Sequence, residues 1–187
     1  MLRKKFGIPE DSLVILSLGR LTEVKQPFKL IEVFSVIEKE KKDVSLVIAG
    51  EGELLDKTKE FAKQKELKNV ISLGYVDEEE KPDLYACSDY YIMSSMYEGL
   101  PLTLLEAMAS GLPCIVSNIP NLRIVEDARC GIVVDFSNSG KAAERIIEYL
   151  GRDSSEHSRN AREYAVENLD WGIIAERYLE EFKKLKE

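Results

Sequence analysis

The chain has 187 residues, with 26 basic and 34 acidic side chains and a net charge of −8. This length suits one domain with a sizeable core over residues 1–187, and the acidic balance argues against a nucleic-acid-binding protein, whose surface is broadly cationic. Because no apolar run approaches the roughly 18 residues of a membrane-spanning helix, and the amino-terminal segment lacks the apolar core of a signal peptide, we expect a cytoplasmic protein without a membrane segment.

Short apolar runs alternate along the chain with segments of helical periodicity. The runs of strand length cover residues 14–18, 45–49, 70–73, 90–93, 114–117 and 132–134. The helical segments between them cover residues 27–40, 54–64, 81–86 and 102–110. Strands that are apolar on both faces and alternate with helices predict an α/β fold, a Rossmann-like parallel sheet of about six strands flanked by helices.

Three further helical segments close the chain without an intervening strand. They cover residues 140–150, 156–168 and 171–184. The last one has an apolar stripe at three-to-four spacing, formed by Trp171, Ile174, Tyr178, Phe182 and Leu185. Packing of this stripe against the chain's own core is the simpler interpretation, and partial exposure is the alternative.

The segment after the fourth predicted strand is the most informative one, because Glu98 and Glu106 bracket a Gly-Leu-Pro turn that opens a helix. Gly99 lets a ligand approach the backbone, and Pro101 suits the first helical turn. The amides that would face such a ligand are those of Gly99, Leu100 and Leu102. Free amides and the positive end of a helix dipole form an anion site, although an ordinary strand-to-helix connection has the same spacing.

Other loops at the same predicted edge of the sheet carry basic residues and glycines. Arg20 and Lys25 follow the first strand and suit two linked phosphates, although two surface cations would look the same. Gly50 and Gly52 follow the second strand, but Leu55 stands where a dinucleotide fingerprint needs its third glycine. The sequence also lacks a P-loop and a DxD motif, so neither a P-loop phosphotransferase nor a metal-bridged diphosphate site is indicated.

Cysteine and histidine offer no metal or nucleophile chemistry. Cys87, Cys114 and Cys130 form no CxxC pair and are expected to be small buried residues. His157, the single histidine, lies in a polar helical segment without partners for a metal site or a Ser-His-Asp triad. We expect neither a metal nor a cofactor.

Five motifs in a fixed order carry a family resemblance. They are GRL at 19–21 with Lys25, GEGE at 50–53, GYV at 74–76, YACSD at 85–89 and YEGLPLTLLEAMASGLP at 97–113. Together they resemble the nucleotide-sugar-binding half of family-4 retaining glycosyltransferases. The resemblance covers residues 14–187. It implies one half of a GT-B architecture, in which the first Rossmann-like domain binds the acceptor and the second binds the donor.

The resemblance also implies roles for individual residues. Arg20 and Lys25 would neutralise the donor diphosphate, Glu98 would contact hydroxyls of the donor sugar, and Glu106 would accept hydrogen bonds from the ribose. The other expected substrate-binding residues are Gly19, Gly50, Gly52, Tyr75, Val76, Gly99, Leu100, Pro101, Leu102 and Thr103. A pair of glutamates could also serve as the acid and the nucleophile of a glycosidase, but the neighbouring anion site and basic pair suit a nucleotide donor better.

Only the second half of such an enzyme is present, so the resemblance implies a missing acceptor domain or a separate acceptor subunit. The final segment, 170–187, would cross to that domain, which could also bring the protein to a membrane surface. We expect the chain alone to bind a nucleotide-diphosphate sugar without catalysing transfer. The alternatives are a noncatalytic nucleotide-sugar-binding subunit or sensor, and an α/β interaction module.

Overall fold

The computed structural model describes residues 2–185 and contains a six-stranded parallel sheet. The strands are β1 (Leu13–Leu18), β2 (Val44–Ala49), β3 (Val70–Gly74), β4 (Tyr90–Met93), β5 (Cys114–Ser117) and β6 (Gly131–Val134). Their order across the sheet is β3-β2-β1-β4-β5-β6, and every neighbouring pair is parallel. The predicted Rossmann-like fold is confirmed. The strand order reverses between β1 and β4, which is where such sheets open a crevice.

The helices follow the predicted alternation. They are α1 (Leu2–Lys5), α2 (Pro27–Glu40), α3 (Leu55–Gln64), α4 (Lys81–Ala86), α5 (Leu102–Ala109), α6 (Ile124–Asp127), α7 (Ser139–Leu150), α8 (Ser155–Asn168) and α9 (Trp171–Lys184). The sequence did not predict α1 and α6, because each has only four residues and is too short to show a periodic pattern. Tertiary packing accounts for α6, whose Val125 is fully buried.

Two hydrophobic layers cover the two faces of the sheet. Successive strand residues point to opposite faces, so Ile15 and Leu16 of β1 are both buried but belong to different layers. Helices α2, α3 and α7 pack in the layer of Ile15, and α4, α5, α6 and α8 pack in the layer of Leu16. This burial on both faces explains why the strands read as continuous apolar runs.

The loop after β2 lies directly against the loop after β1, and two glycines make this approach possible. Gly50 (φ +130°) and Gly52 (φ +149°) have backbone conformations that favour glycine. A Cβ atom on Gly50 would overlap the carbonyl oxygen of Gly19, and one on Gly52 would overlap that of Leu21. A backbone hydrogen bond of 2.7 Å from Leu21 N to Glu51 O joins the loops. The two glycines therefore have a structural role that needs no ligand.

Helix α9 does not pack into the core, so the core-packing interpretation of its stripe is wrong. Trp171 is 79% exposed and Phe182 is 58% exposed, and no residue of the helix is buried. The last two residues of the predicted 170–187 segment lie outside the described part of the chain. Among residues 2–185, no helix has both the length and the apolar character needed to cross a membrane. Cytoplasmic location stays a prediction.

Gly52→Ala should lower the free energy of unfolding by about 2 to 4 kcal/mol, because its Cβ must displace the backbone of the neighbouring loop. Gly99→Ala is the control, since no atom lies within 4 Å of its new Cβ and the change should stay below about 0.5 kcal/mol. Urea denaturation of both variants measures the difference. Equal stabilities would contradict the proposed loop contact.

Phe182→Ser should leave the free energy of unfolding within about 0.5 kcal/mol of the parent value, because the ring is exposed. Phe34→Ala, in the core face of α2, should cost about 3 to 5 kcal/mol, since this ring is 1% exposed. Thermal and chemical denaturation compare the two. A large loss from Phe182→Ser would mean that α9 is packed in solution.

Candidate functional site

A cleft of about 1010 Å³ opens at the carboxyl edge of the sheet, above the point between β1 and β4 where the strand order reverses. Its walls come from four strand-to-helix connections, those after β1, β2, β3 and β4. The lining residues are Leu18, Gly19, Arg20, Thr22, Val24, Lys25, Gly50, Glu51, Gly52, Tyr75, Val76, Glu78, Lys81, Tyr97, Glu98, Gly99, Pro101, Leu102 and Thr103. The four loops that the sequence placed on one rim therefore meet around one cleft.

Most of the predicted site residues line this cleft, and two do not. Leu100 projects to solvent with 55% exposure, and Glu106 lies further along α5, bonded to Tyr85. The sequence interpretation also missed seven lining residues, namely Leu18, Thr22, Val24, Glu51, Glu78, Lys81 and Tyr97. Two of these residues could have been predicted to line the cleft from their positions in the sequence. Lys81 begins the helix after β3, and Tyr97 directly precedes Glu98.

Lys25 and Glu98 form an ion pair across the cleft. Lys25 Nζ lies 2.5 Å from Glu98 Oε1, and Ser95 Oγ donates to the same oxygen at 2.6 Å. The side chains are 25% and 10% exposed. The amide of Asn121 donates to the backbone oxygen of Glu98 at 2.8 Å, so the loop is held from both sides. Glu98 is therefore a fixed carboxylate whose charge is already compensated.

Backbone geometry brings Lys25 to this position. Residues Glu23–Lys25 form a 3₁₀ turn that ends at Gln26 (φ 51°), and α2 begins directly afterwards at Pro27. A hydrogen bond of 2.8 Å from Met96 N to Val24 O ties this turn to the loop after β4. The two loops that carry Lys25 and Glu98 are thus joined through their backbones as well as through their side chains.

Among residues 2–185, Arg20 is the cation of the cleft that has no ion-pair partner. Its side chain is exposed, and within residues 2–185 no carboxylate lies within 4 Å of it, whereas Lys25 pairs with Glu98 and Lys81 with Glu78. A guanidinium offers a planar fork of donors that matches phosphate oxygens. An anion that enters the cleft therefore meets a ready donor in Arg20.

The start of α5 adds backbone donors. Pro101 is buried in an extended conformation, and its carbonyl oxygen accepts from Leu104 N at 3.0 Å. Four backbone N–H groups lie just before α5 or in its first turn and have no acceptor in the described part of the chain. They are those of Gly99, Leu100, Leu102 and Thr103. These groups supply partial positive charge beside the cleft, as the sequence led us to expect.

A second carboxylate, Glu106, belongs to a hydrogen-bond network that joins α5 to α4 and β4. The Tyr85 hydroxyl donates to Glu106 Oε2 at 2.7 Å and to Thr103 O at 3.1 Å, and the Tyr91 hydroxyl lies 2.8 Å from Thr103 Oγ1. Burial raises the pKa of Tyr85 well above its usual range, so this phenol stays protonated and remains the donor. The network links Glu106 to Thr103, which lines the cleft.

The cysteines and the histidine lie away from the lining of the cleft. No group of three or more His, Cys, Asp or Glu side chains in this range could hold a metal ion. Cys87, Cys114 and Cys130 are free and buried, as predicted. His157 Nδ1 lies 2.8 Å from the Tyr149 hydroxyl, away from the cleft.

Comparison with known proteins places this geometry in a family. The family model described as glycosyl transferases group 1 matches residues 1–168. The chain belongs to this family. Putative glycosyltransferase EpsF of Bacillus subtilis (strain 168) is 38% identical over 134 residues, which cover 71% of this chain and 34% of that protein. Spore coat protein SA of the same organism is 32% identical over 197 aligned positions, covering 98% of this chain and 52% of that protein.

The fold recurs in a solved structure with which the chain superimposes. S. aureus TarM, in a crystal structure with Fondaparinux, alpha-GlcNAc-glycerol and UDP, superimposes with a TM-score of 0.80 at 26% identity, over 92% of this chain and 36% of that one. The chain spans about half the length, or less, of the curated relatives that it matches. Membership of the glycosyl transferases group 1 family and the Rossmann-like fold are therefore established.

The two predicted phosphate ligands should differ in their effect on stability. Lys25→Ala should lower the free energy of unfolding by about 1 to 2 kcal/mol, because it leaves the poorly exposed Glu98 carboxylate without its cation. Arg20→Ala should change it by less than about 0.5 kcal/mol, since Arg20 is exposed. Urea denaturation decides, and equal effects of the two substitutions would contradict the structural role of the ion pair.

Proposed function

We propose that the chain is the donor-binding domain of a family-4 retaining glycosyltransferase, corresponding to the second half of the GT-B arrangement, and that its cleft holds a nucleotide-diphosphate sugar. The observation that carries the proposal is the convergence of Arg20, Lys25 and the free amides at the start of α5 on one cleft. Such a set of donors suits a diphosphate. Two findings support it: membership of the glycosyltransferase group 1 family, and the UDP named in the TarM crystal structure.

The diphosphate should engage Arg20 first and Lys25 second. Arg20 has no ion-pair partner in the described part of the chain, whereas Lys25 is paired with Glu98 and must turn toward the phosphate to bind it. As the glycosidic bond breaks, negative charge grows on the leaving diphosphate, and the two bound cations would stabilise that charge. Release of Lys25 would also free Glu98 to accept hydrogen bonds from hydroxyls of the donor sugar.

The remaining contacts follow from the shape of the cleft. The loop at Tyr75 and Val76 forms one end, with Tyr75 62% exposed and Val76 buried, and we propose that the base lies there. Gly19, Gly50 and Gly52 line the floor without side chains that would obstruct the ligand. Leu100, Leu102 and Thr103 then contribute backbone N–H groups rather than apolar contacts. Pro101 has no N–H and instead fixes the turn that presents them.

The geometry does not suit a glycosidase. That reaction needs one carboxylic acid and one free carboxylate that flank the scissile bond. Glu98 is instead held by Lys25 and Ser95, and Glu106 by Tyr85 outside the lining of the cleft. With no free carboxylate nucleophile among these two, a retaining transfer would proceed by front-face attack, in which the departing phosphate assists.

The chain also needs a partner that binds the acceptor. The curated relatives cited above are about twice as long as this chain, and the exposed stripe of α9 offers an apolar surface on which another domain could pack. We propose that an acceptor domain, preceding this one in the same polypeptide or supplied by a separate subunit, covers α9 and closes the cleft. Without the acceptor domain the reacting centre stays open to water, so the isolated chain should bind the donor without transferring its sugar.

A noncatalytic nucleotide-sugar-binding subunit or sensor is the second candidate. The observation that favours it is that every proposed donor contact lies within this chain, whereas no acceptor site is defined among residues 2–185. The gene separates the two candidates. A second α/β domain in frame upstream of the codon for Met1 favours the enzyme, and a regulatory partner encoded beside it favours the sensor.

Titration calorimetry against UDP, GDP, ADP and their sugars tests the proposal. We expect one nucleotide to bind, and the double variant Arg20→Ala with Lys25→Ala to weaken its binding more than tenfold, because two charge-assisted phosphate contacts are lost. Binding should also weaken as salt rises.

Lys63→Ala with Arg159→Ala is the matched control, because it removes the same charge from exposed helical positions away from the cleft. It should leave affinity within about twofold of the parent chain. Failure of all three nucleotides and their sugars to bind would reject the proposed function.

A further inference from the structure

The hydroxyl of Tyr85 holds the carboxylate of Glu106 in place. Tyr85 lies in α4, is 2% exposed, and donates to Glu106 Oε2 at 2.7 Å. The same hydroxyl reaches Thr103 O at 3.1 Å. One buried phenol therefore contacts both the side chain of Glu106 and the helical turn that carries it.

Helix α4 fixes the position of the phenol. Leu84 is fully buried beside it, and Ser88 Oγ closes the carboxyl end of the helix with a bond of 2.8 Å to Leu84 O. Tyr91, on β4, braces the same turn of α5 from the sheet, because its hydroxyl lies 2.8 Å from Thr103 Oγ1 and 3.2 Å from Leu18 O. Thr103 and Leu18 both line the cleft.

Satisfying a buried hydroxyl does not by itself require Glu106. The carbonyl of Thr103 alone would give the phenol an acceptor, yet the shorter bond goes to the carboxylate. Glu106 Oε1 has no donor among the side chains of residues 2–185, so one carboxylate oxygen is anchored and the other is open. Glu106 lies three residues along α5 from Thr103, which lines the cleft, so the two side chains share one face of the helix. From that position, an anchored carboxylate with an open oxygen is suited to accept from hydroxyl groups of a ligand at a fixed angle.

We propose that Tyr85 is a positioning residue that orients Glu106 toward the 2′ and 3′ hydroxyls of the ribose of a bound nucleoside diphosphate. The proposal rests on the proposed function, because it takes the ligand of the cleft to be such a nucleotide and takes the contact of Glu106 with its ribose from the family resemblance; the new element is the role of Tyr85. Tyr85 does not touch the ligand. It limits the rotation of the Glu106 side chain, so less freedom is lost when the carboxylate accepts its bonds from the ribose.

The test compares ribonucleotides with analogues that lack both hydroxyls. Calorimetry measures the dissociation constants of UDP, GDP and ADP and of their 2′,3′-dideoxy counterparts for the parent chain, Tyr85→Phe, Glu106→Gln and the double variant. Tyr90→Phe is the matched control. Tyr90 lies on β4 and is buried like Tyr85, but its hydroxyl donates to Ser154, away from the cleft. Circular dichroism confirms that each variant is folded at the temperature of the titration.

We expect Tyr85→Phe to weaken the binding ribonucleotide by about 3- to 10-fold and its dideoxy analogue by less than about twofold. The double variant should bind no more weakly than Glu106→Gln, since Tyr85 acts through Glu106. Tyr90→Phe should change neither affinity.

Three results would overturn the proposal. Equal weakening of the ribonucleotide and the dideoxy analogue by Tyr85→Phe would show a general structural role. A parent chain that does not discriminate the two ligands would reject the ribose contact while leaving the proposed function in place. Absence of binding by all the nucleotides would reject both.

Discussion

The site depends on a constraint of the parallel sheet, which brings the carboxyl ends of all strands to one edge. Because the strand order reverses between β1 and β4, the helices that follow these two strands leave in opposite directions and a cleft opens between them. The loops that carry Arg20 and Glu98 are therefore neighbours, although they are far apart in the chain. The contact of Gly50 and Gly52 with the loop after β1 then sets the width of the cleft on the β2 side.

Two of the three cations that line the cleft are already paired with carboxylates of this chain. Lys25 and Lys81 are paired with carboxylates, so the protein does not present a strong positive field in a chain of net charge −8. Exchange of the Lys25 partner from Glu98 to a phosphate would keep both carboxylate and cation bonded, since sugar hydroxyls can take over at Glu98. Such an exchange lets an acidic protein bind an anion without a large cost of unpaired buried charge.

The sequence predicted the sheet well because the strands are buried on both faces. Each predicted strand matches its observed bounds to within one residue, for example 14–18 against Leu13–Leu18 for β1. The proximity of Arg20, Lys25 and Glu98 was also predictable, because it follows from parallel topology. The resemblance added the roles of the glutamates, which composition and spacing left open.

Other features could not be read from the sequence, because they depend on contacts between distant residues. The bond between Lys25 and Glu98 joins positions 73 residues apart, and that between Tyr85 and Glu106 joins positions 21 apart on different helices. From the sequence, Gly50 and Gly52 were expected to let a ligand approach the backbone. In the structure they let the loop after β2 pack against the loop after β1. Amphipathic periodicity marked the apolar stripe of α9 but did not specify whether anything in this chain covers it.

The central claim is that the cleft between β1 and β4 is the nucleotide site, and amide chemical-shift mapping tests it most directly. Addition of UDP, GDP or ADP to the ¹⁵N-labelled chain should, for the nucleotide that binds, shift the amides of residues that line the cleft, such as Gly19, Arg20, Lys25, Gly52, Val76, Gly99 and Thr103. Residues of α8 and α9 should keep their shifts. Shifts confined to another surface, or no shifts with any of the three nucleotides, would contradict the account.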